Sequence, residues 1–172
     1  MQKVLISSCL LGEPVRYHGR PLPVEQEIIQ RWMQEGRAVP VCPEVLGGLG
    51  VPRPPAEITG AGGYAVLDGF AVVLDERGKD LTRPFLEGAV EALQVAQASG
   101  VRVAVLKDGS PSCGRTYIHN GQFRGTRKRG EVGVAAALLL RNGIAVFSEH
   151  QLEAADRHLQ SLEMNRKTRA AG

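Results

Sequence analysis

Val101-Arg102-Val103-Ala104-Val105-Leu106 runs directly into Lys107-Asp108-Gly109-Ser110-Pro111-Ser112-Cys113-Gly114. The first stretch is short, β-branched and almost continuously apolar, which is how a strand buried on both faces reads. The second cannot extend that strand, because Gly109, Pro111 and Gly114 break regular structure. A thiol therefore falls on a tight loop just past a strand end, the edge at which open α/β sheets bind ligands. The pattern occurs twice more. Lys3-Val4-Leu5-Ile6-Ser7-Ser8 leads into Cys9-Leu10-Leu11-Gly12, and Arg37-Ala38-Val39-Pro40-Val41 leads into Cys42-Pro43-Glu44. The chain has three cysteines and each follows such a run, so three distant loops are expected to meet at one sheet edge.

Working outward from these strands gives alternating strands and helices. Val24, Ile28, Ile29, Trp32 and Met33 recur at helical spacing, with Gly36 placed to end the helix. Thr82 is placed to cap a helix over 83–98, and a very apolar helix is expected over 132–141. Ser148 with Gln151 reads as a capping box for a last helix to about Leu162. Asp68-Gly69 and Asn120-Gly121 are strong two-residue hairpin signals, each flanked by apolar residues. Pro52, Pro54 and Pro55 keep residues 47–63 out of helices, and that segment is read as an irregular wall or lid. Gly60-Ala61-Gly62-Gly63 is a weak phosphate-loop candidate, discounted because a hairpin rather than a helix is expected after it. The expected architecture is a three-layer α/β fold with a mostly parallel sheet and added β-hairpins. Residues 1–164 form the single domain and 165–172 a polar, frayed tail.

Composition sets outer limits. The chain has 172 residues, 43% of them hydrophobic, enough for one sizeable core. No apolar run approaches the roughly 18 residues of a membrane span. The start, Met1-Gln2-Lys3-Val4-Leu5-Ile6, lacks the apolar core of an export signal. A cytoplasmic location with reduced thiols is expected, and an odd cysteine count argues against a disulfide framework. The formal charge of +3 admits a phosphate-bearing or nucleic-acid partner without requiring one. Arg124, Arg127, Lys128 and Arg129 could grip RNA, but no stacking aromatics accompany them and a solvated loop is the ordinary reading. The sequence does not set the oligomeric state.

Two readings of the cysteines stay open at the level of spacing. Free cysteines are often small buried hydrophobes. Thiols on glycine- and proline-rich loops suit soft-metal ligation, and three thiolates leave a four-site metal or cluster one ligand short, open to substrate. A non-catalytic metal or iron–sulfur sensor predicts no pocket beside the cysteines. A metal-free thiol nucleophile predicts one cysteine of depressed pKa beside a histidine.

Cys9-Leu10-Leu11-Gly12 with Val15-Arg16-Tyr17, Cys42-Pro43-Glu44 with Gly47-Gly48-Leu49 and Pro52-Arg53-Pro54, and Ser110-Pro111-Ser112-Cys113-Gly114 together resemble the thiouracil desulfurase (TudS) family, over about residues 3–150. The resemblance implies a Rossmann-like α/β domain holding a 4Fe-4S cluster on Cys9, Cys42 and Cys113. It implies an iron without a cysteine ligand that takes the sulfur of 2-thiouracil or a related thiopyrimidine, releasing uracil and sulfide without redox change. It places the catalytic glutamate on Glu44 and the catalytic serine on Ser110, with Ser112 the second match. A desulfurase acting on thiolated RNA nucleosides is the neighbouring alternative. Read without the resemblance, Glu44 is also a plain first-turn helix acid after Pro43, and Ser110 a turn serine. Arg16, Arg53, Lys107 and Arg115 flank the loops; together they could balance a cluster's charge or bind a substrate phosphate, and singly each reads as solvated surface charge. His18 and His119-Asn120 depart from the family's usual residues and bear on substrate preference.

Overall fold

The computed structural model describes residues 1–21 and 25–170. In chain order, β1 (Val4–Ser7) is followed by a 3-10 turn (Ser8–Leu11), α1 (Glu27–Gln34), β2 (Ala38–Val41) and α2 (Pro43–Leu46). Then come β3 (Ala56–Thr59), α3 (Gly63–Leu67), β4 (Val72–Asp75), α4 (Thr82–Ala98) and β5 (Val103–Leu106). The chain ends with β6 (Tyr117–His119), β7 (Arg127–Arg129), α5 (Val134–Arg141), β8 (Ala145–Ser148) and α6 (Leu152–Ala170).

Four of the strands form a parallel sheet in the order β2-β1-β5-β8. Side chains alternate across it, as a pleated strand requires. Leu5, Ala104, Leu106 and Val146 face Ala92 and Ala96 of α4 and Ala136, Ala137 and Leu139 of α5. Val4, Ile6, Val103 and Val105 face Ile29 and Trp32 of α1 and Leu152, Ala155 and Leu159 of α6. Both faces are covered, so the central strands are apolar throughout and the three-layer expectation is met. Trp32 is fully buried, and its indole N–H donates to Asp156 Oδ1 at 3.1 Å, which ties α1 to α6. Two antiparallel pairs, β3–β4 and β6–β7, stand beside the main sheet. Among the described residues no helix is long and apolar enough to cross a membrane.

Several local expectations are corrected. Residues 64–67 are helical, and the pairing partner of β4 is β3, inside the segment read as irregular. Asp68-Gly69 ends α3 instead of turning a hairpin: Phe70 N–H donates to Ala65 O and Gly69 N–H to Val66 O, the paired bonds of a Schellman stop. The Gly60–Gly63 stretch thus does precede a helix, but Gly62 N–H donates to Glu131 Oε2 and Gly63 N–H to Val132 O, so those donors are engaged. Asn120-Gly121 opens a longer connection, in which β6 pairs with β7 through His119 and Arg127. Thr82 lies inside α4, and its hydroxyl accepts the Val73 N–H at 3.0 Å. Gln151 does reach back to the Ser148 N–H at 3.1 Å, as a capping box requires. The final helix runs on to Ala170, past the expected end near Leu162 and through most of the segment read as a frayed tail. The expected start of α1 at Val24 lies outside the described residues.

Candidate active site

Sheet growth reverses at β1, which has β2 on one side and β5 on the other. Loops leaving such neighbouring strands splay to opposite faces and open a crevice at their carboxyl ends. Cys9 follows β1, Cys42 follows β2 and the Cys113 loop follows β5. All three are free cysteines and all line one cavity of about 390 Å³. A sensor or structural module without a pocket does not predict this cavity.

Burial keeps these thiols protonated. Cys9 is pushed up to about 11, first by burial and then by the neighbouring Cys42. Burial likewise raises Cys42, and Glu44 adds to it. Cys113 is raised as well, by burial above all, although the Ser7 hydroxyl works the other way. Ser7 Oγ accepts the Lys107 N–H at 3.0 Å and lies 3.5 Å from Cys113 Sγ, so its proton is aimed at the sulfur. A metal-free nucleophile needs a thiol of lowered pKa, and none of the three has one. Among the described residues no three His, Cys, Asp or Glu side chains are placed to hold a single metal ion. The donor set is therefore soft, all sulfur, mutually repulsive when ionised, and spread around a space larger than one ion. Those are the properties a multi-iron cluster would neutralise and fill.

Glu44 lies on the first turn of α2, after Pro43 at the first helical position. It also lines the cavity, so its two sequence readings coexist. Its carboxylate is held from both sides. Arg53 Nη2 and Nε lie 2.6 and 2.8 Å from Oε2, and Ser110 Oγ lies 3.2 Å from Oε1. Ser110 Oγ already accepts the N–H groups of Ser112 and Cys113, each at 3.0 Å, so its own proton goes to Glu44. Arg53 is almost wholly buried and also donates to Val15 O at 3.1 Å and Gly50 O at 3.0 Å. One guanidinium thus joins the Cys9 loop to the Cys42 turn, which corrects its reading as solvated charge.

The α2 turn sits where it does because two glycines let main chains touch. A Cβ on Gly47 would stand 2.0 Å from Pro84 O of α4, and one on Gly88 1.9 Å from Pro43 O. The Cys113 loop is set by Asp108 and by α5. Asp108 Oδ1 accepts the N–H groups of Arg115 and Thr116, each at 2.9 Å, while Thr116 Oγ1 bonds to Oδ2. Burial alone would raise the Asp108 pKa, but these bonds outweigh it and hold the carboxyl below its ordinary value. At the head of α5, Val134 N–H donates to Pro111 O and Ala135 N–H to Ser112 O. Ser112 is buried, lies off the cavity wall and, among the described residues, has no partner for its hydroxyl. Ser110, by contrast, lies on the wall.

Three acids that the sequence reading passed over complete the surroundings. Glu149 is buried, accepts the Asp108 N–H at 2.8 Å and pairs with Lys107. Glu57 is buried on β3 and lines the cavity. Asp108 stood in the decisive stretch and signalled itself only as an acid before a glycine, the mark of an Asx turn. Glu57 gave no local signal, since β3 itself was read as irregular. Arg16, Tyr17, Tyr117, His119 and Phe123 also line the cavity, and His18 does not. Arg115 is turned inward, its Nε donating to Val146 O at 2.8 Å. Within the basic run, Arg127 covers the Tyr117 ring at 4.5 Å and Lys128 donates to Gly60 O at 2.9 Å.

Comparison with known proteins gives concordant matches. Residues 4–151 match the family model described as 2-thiouracil desulfurase. A Bacillus subtilis (strain 168) protein bearing the name "Uncharacterized protein YbbK" is 43% identical over 149 residues, spanning 87% of this chain and 97% of that protein. A solved structure of a 4Fe-4S-dependent thiouracil desulfidase, TudS (DUF523Vcz), superposes with a TM-score of 0.83 at 45% identity. That match covers 93% of this chain and 99% of the other.

Proposed function

We propose, for a chain that belongs to the 2-thiouracil desulfurase family, the activity of a 4Fe-4S-dependent thiouracil desulfidase. It hydrolyses 2-thiouracil or a related thiopyrimidine to the oxo-pyrimidine and sulfide. The observation that carries this reading is the meeting of three free thiols, from three strand ends, in one cavity beside a doubly anchored carboxylate.

Cys9, Cys42 and Cys113 are the residues that would hold the cluster, as thiolates. When bound, the cluster supplies a Lewis-acidic iron for the soft thiocarbonyl sulfur. Glu44 acts as the base. Arg53 pairs with the carboxylate, and the Ser110 proton fixes its orientation. Glu44 takes a proton from the water that adds at the thiocarbonyl carbon. A carbon–oxygen bond forms and the carbon–sulfur bond breaks. The proton held on Glu44 is returned to the sulfur, which departs as hydrosulfide while Glu44 takes the remaining hydroxyl proton as the new carbonyl forms and passes it to solvent, and no electron is gained or lost. A cytoplasmic setting, where thiols stay reduced, suits the three ligands.

Anaerobic reconstitution followed by the visible spectrum and a sulfide-release assay on 2-thiouracil tests the reading. Each of Cys9→Ala, Cys42→Ala and Cys113→Ala is expected to lose the iron–sulfur absorbance. Glu44→Gln is expected to keep the absorbance while turnover falls by roughly 10²- to 10⁴-fold, the size of a general-base contribution. Full turnover in Glu44→Gln removes the assigned base, and a colourless wild-type protein removes the cluster.

A further inference from the structure

Phe123 lines the cavity in a conformation that folding alone does not account for. Its φ is +54°, in the left-handed region that a bulky L-residue rarely enters. Its ring lines the cavity, yet the residue is 36% exposed, so the ring is not part of a packed core. The strained backbone is pinned by a buried acid. Glu57 Oε2 accepts the Gly121 N–H at 2.8 Å and the Phe123 N–H at 3.1 Å. Glu57 sits on β3, opposite Leu74 of β4, so the pin is part of the framework and not of the loop. A strained conformation and a buried carboxylate are thus both maintained to place one apolar ring at the cavity wall. Strain held in place by its surroundings in this way marks a working residue.

The other rings on the wall are already engaged. Arg127 covers Tyr117, His119 meets the edge of Tyr117 at a centroid distance of 6.1 Å, and Tyr17 contacts His18 at 4.8 Å. Among the described residues no ring or guanidinium is recorded against Phe123. A partly exposed ring on a cavity wall, with no stacked partner among the described residues, suits recognition of a flat π-system.

We propose that Phe123, held by Glu57, is the stacking platform for the substrate's planar pyrimidine ring, and so selects aromatic heterocycles over puckered ones. This rests on the desulfidase reading above. The platform fixes the ring plane while the thiol-lined end of the cavity acts on the sulfur. It is a specificity residue and takes no part in the proton transfers assigned to Glu44.

The test compares wild type with Phe123→Gly, Phe123→Tyr and Glu57→Ala. Glycine accepts the positive φ without strain and removes only the ring, so the loop is expected to survive. Isothermal titration of the cluster-loaded proteins with uracil and with non-planar 5,6-dihydrouracil reads the stack directly. Wild type is expected to bind uracil more tightly than dihydrouracil. Phe123→Gly is expected to bind uracil about tenfold more weakly, the scale of one base–aromatic stack, and to lose the preference over dihydrouracil. Its KM for 2-thiouracil should rise by about the same factor with kcat little changed, and Phe123→Tyr should restore both. In cluster-free protein, amide exchange at Gly121 should stay slow in Phe123→Gly and become fast in Glu57→Ala, which separates the ring from the pin. Phe123→Gly that binds uracil and discriminates like wild type overturns the platform. Wild type that releases no sulfide and binds no uracil overturns the underlying reading as well.

Discussion

Glu44 illustrates how much one carboxylate depends on residues remote in sequence. In the base role proposed for it, what matters is orientation, and that comes from partners outside its own turn. Arg53→Ala is expected to destabilise the protein by about 3 kcal/mol, because an acid that is largely buried loses its counter-ion. It should also cut kcat for sulfide release more than it raises KM. Arg53→Lys is expected to recover part of kcat, since an ammonium keeps the charge but cannot reproduce the fork that reaches Glu44, Val15 and Gly50 together. The charge of Arg53 was plain in the sequence; its burial was not, because that depends on how the loop returns to α2. Asp108 supports an acid-stability prediction. Its pKa is lower folded than unfolded, so its contribution is complete above the unfolded value of about 3.9 and is lost as pH falls through the folded value. Acid unfolding followed by circular dichroism should show Asp108→Ala closest to wild type at the lowest pH. At neutral pH the variant should be less stable by roughly 2–3 kcal/mol, the scale of hydrogen bonds to a charged acceptor.

Among elements, the parallel strands were legible and the pieces between β2 and α4 were not. Buried strands announce themselves by unbroken apolar runs, and Val103–Leu106 and Val4–Ser7 fall where those runs lie. Residues 64–67 are as apolar as a strand, and four residues cannot reveal a period, so α3 was read as the wrong element. Asp68-Gly69 and Asn120-Gly121 carry real turn chemistry, but the dipeptide does not say what it terminates. In the first case it closes a helix. In the second, Glu57 draws the Gly121 and Phe123 N–H groups out of any tight hairpin. The contact between α2 and α4 is the element-scale feature most open to test. By helix propensity Gly88→Ala should stabilise α4 by about 1 kcal/mol. A Cβ 1.9 Å from Pro43 O reverses that sign. The variant is expected to lose roughly 3 kcal/mol in chemical denaturation, as overpacking does, and to take up less iron because Cys42 is displaced with the turn.

At the scale of the whole molecule, the convergence of the three cysteine loops was readable because strand order in an open sheet is restrictive. Thiols following three strands of one parallel sheet all emerge at its carboxyl edge. The far wall of the cavity was not readable, because β3, β6 and the loop bearing Phe123 reach it through long-range pairing. The packed faces on either side of the sheet are built mainly from aliphatic and aromatic side chains. Cluster-free protein is therefore expected to keep its far-ultraviolet circular dichroism and to melt several degrees below the loaded form, since a group that binds only the folded state raises its stability. Coincident melting of the two forms would count against a cluster held by these loops. The touching main chains of Gly47 and Pro84, and of Gly88 and Pro43, carry a pharmacological consequence. Side chains can swing aside for a bulky guest, but a helix braced directly against another has no such give. Analogues enlarged at the edge facing Glu44 should be refused outright, whereas those extended toward the solvent-facing rim should be tolerated. The acceptable decorations of an inhibitor are thus set by a vice with one immovable jaw.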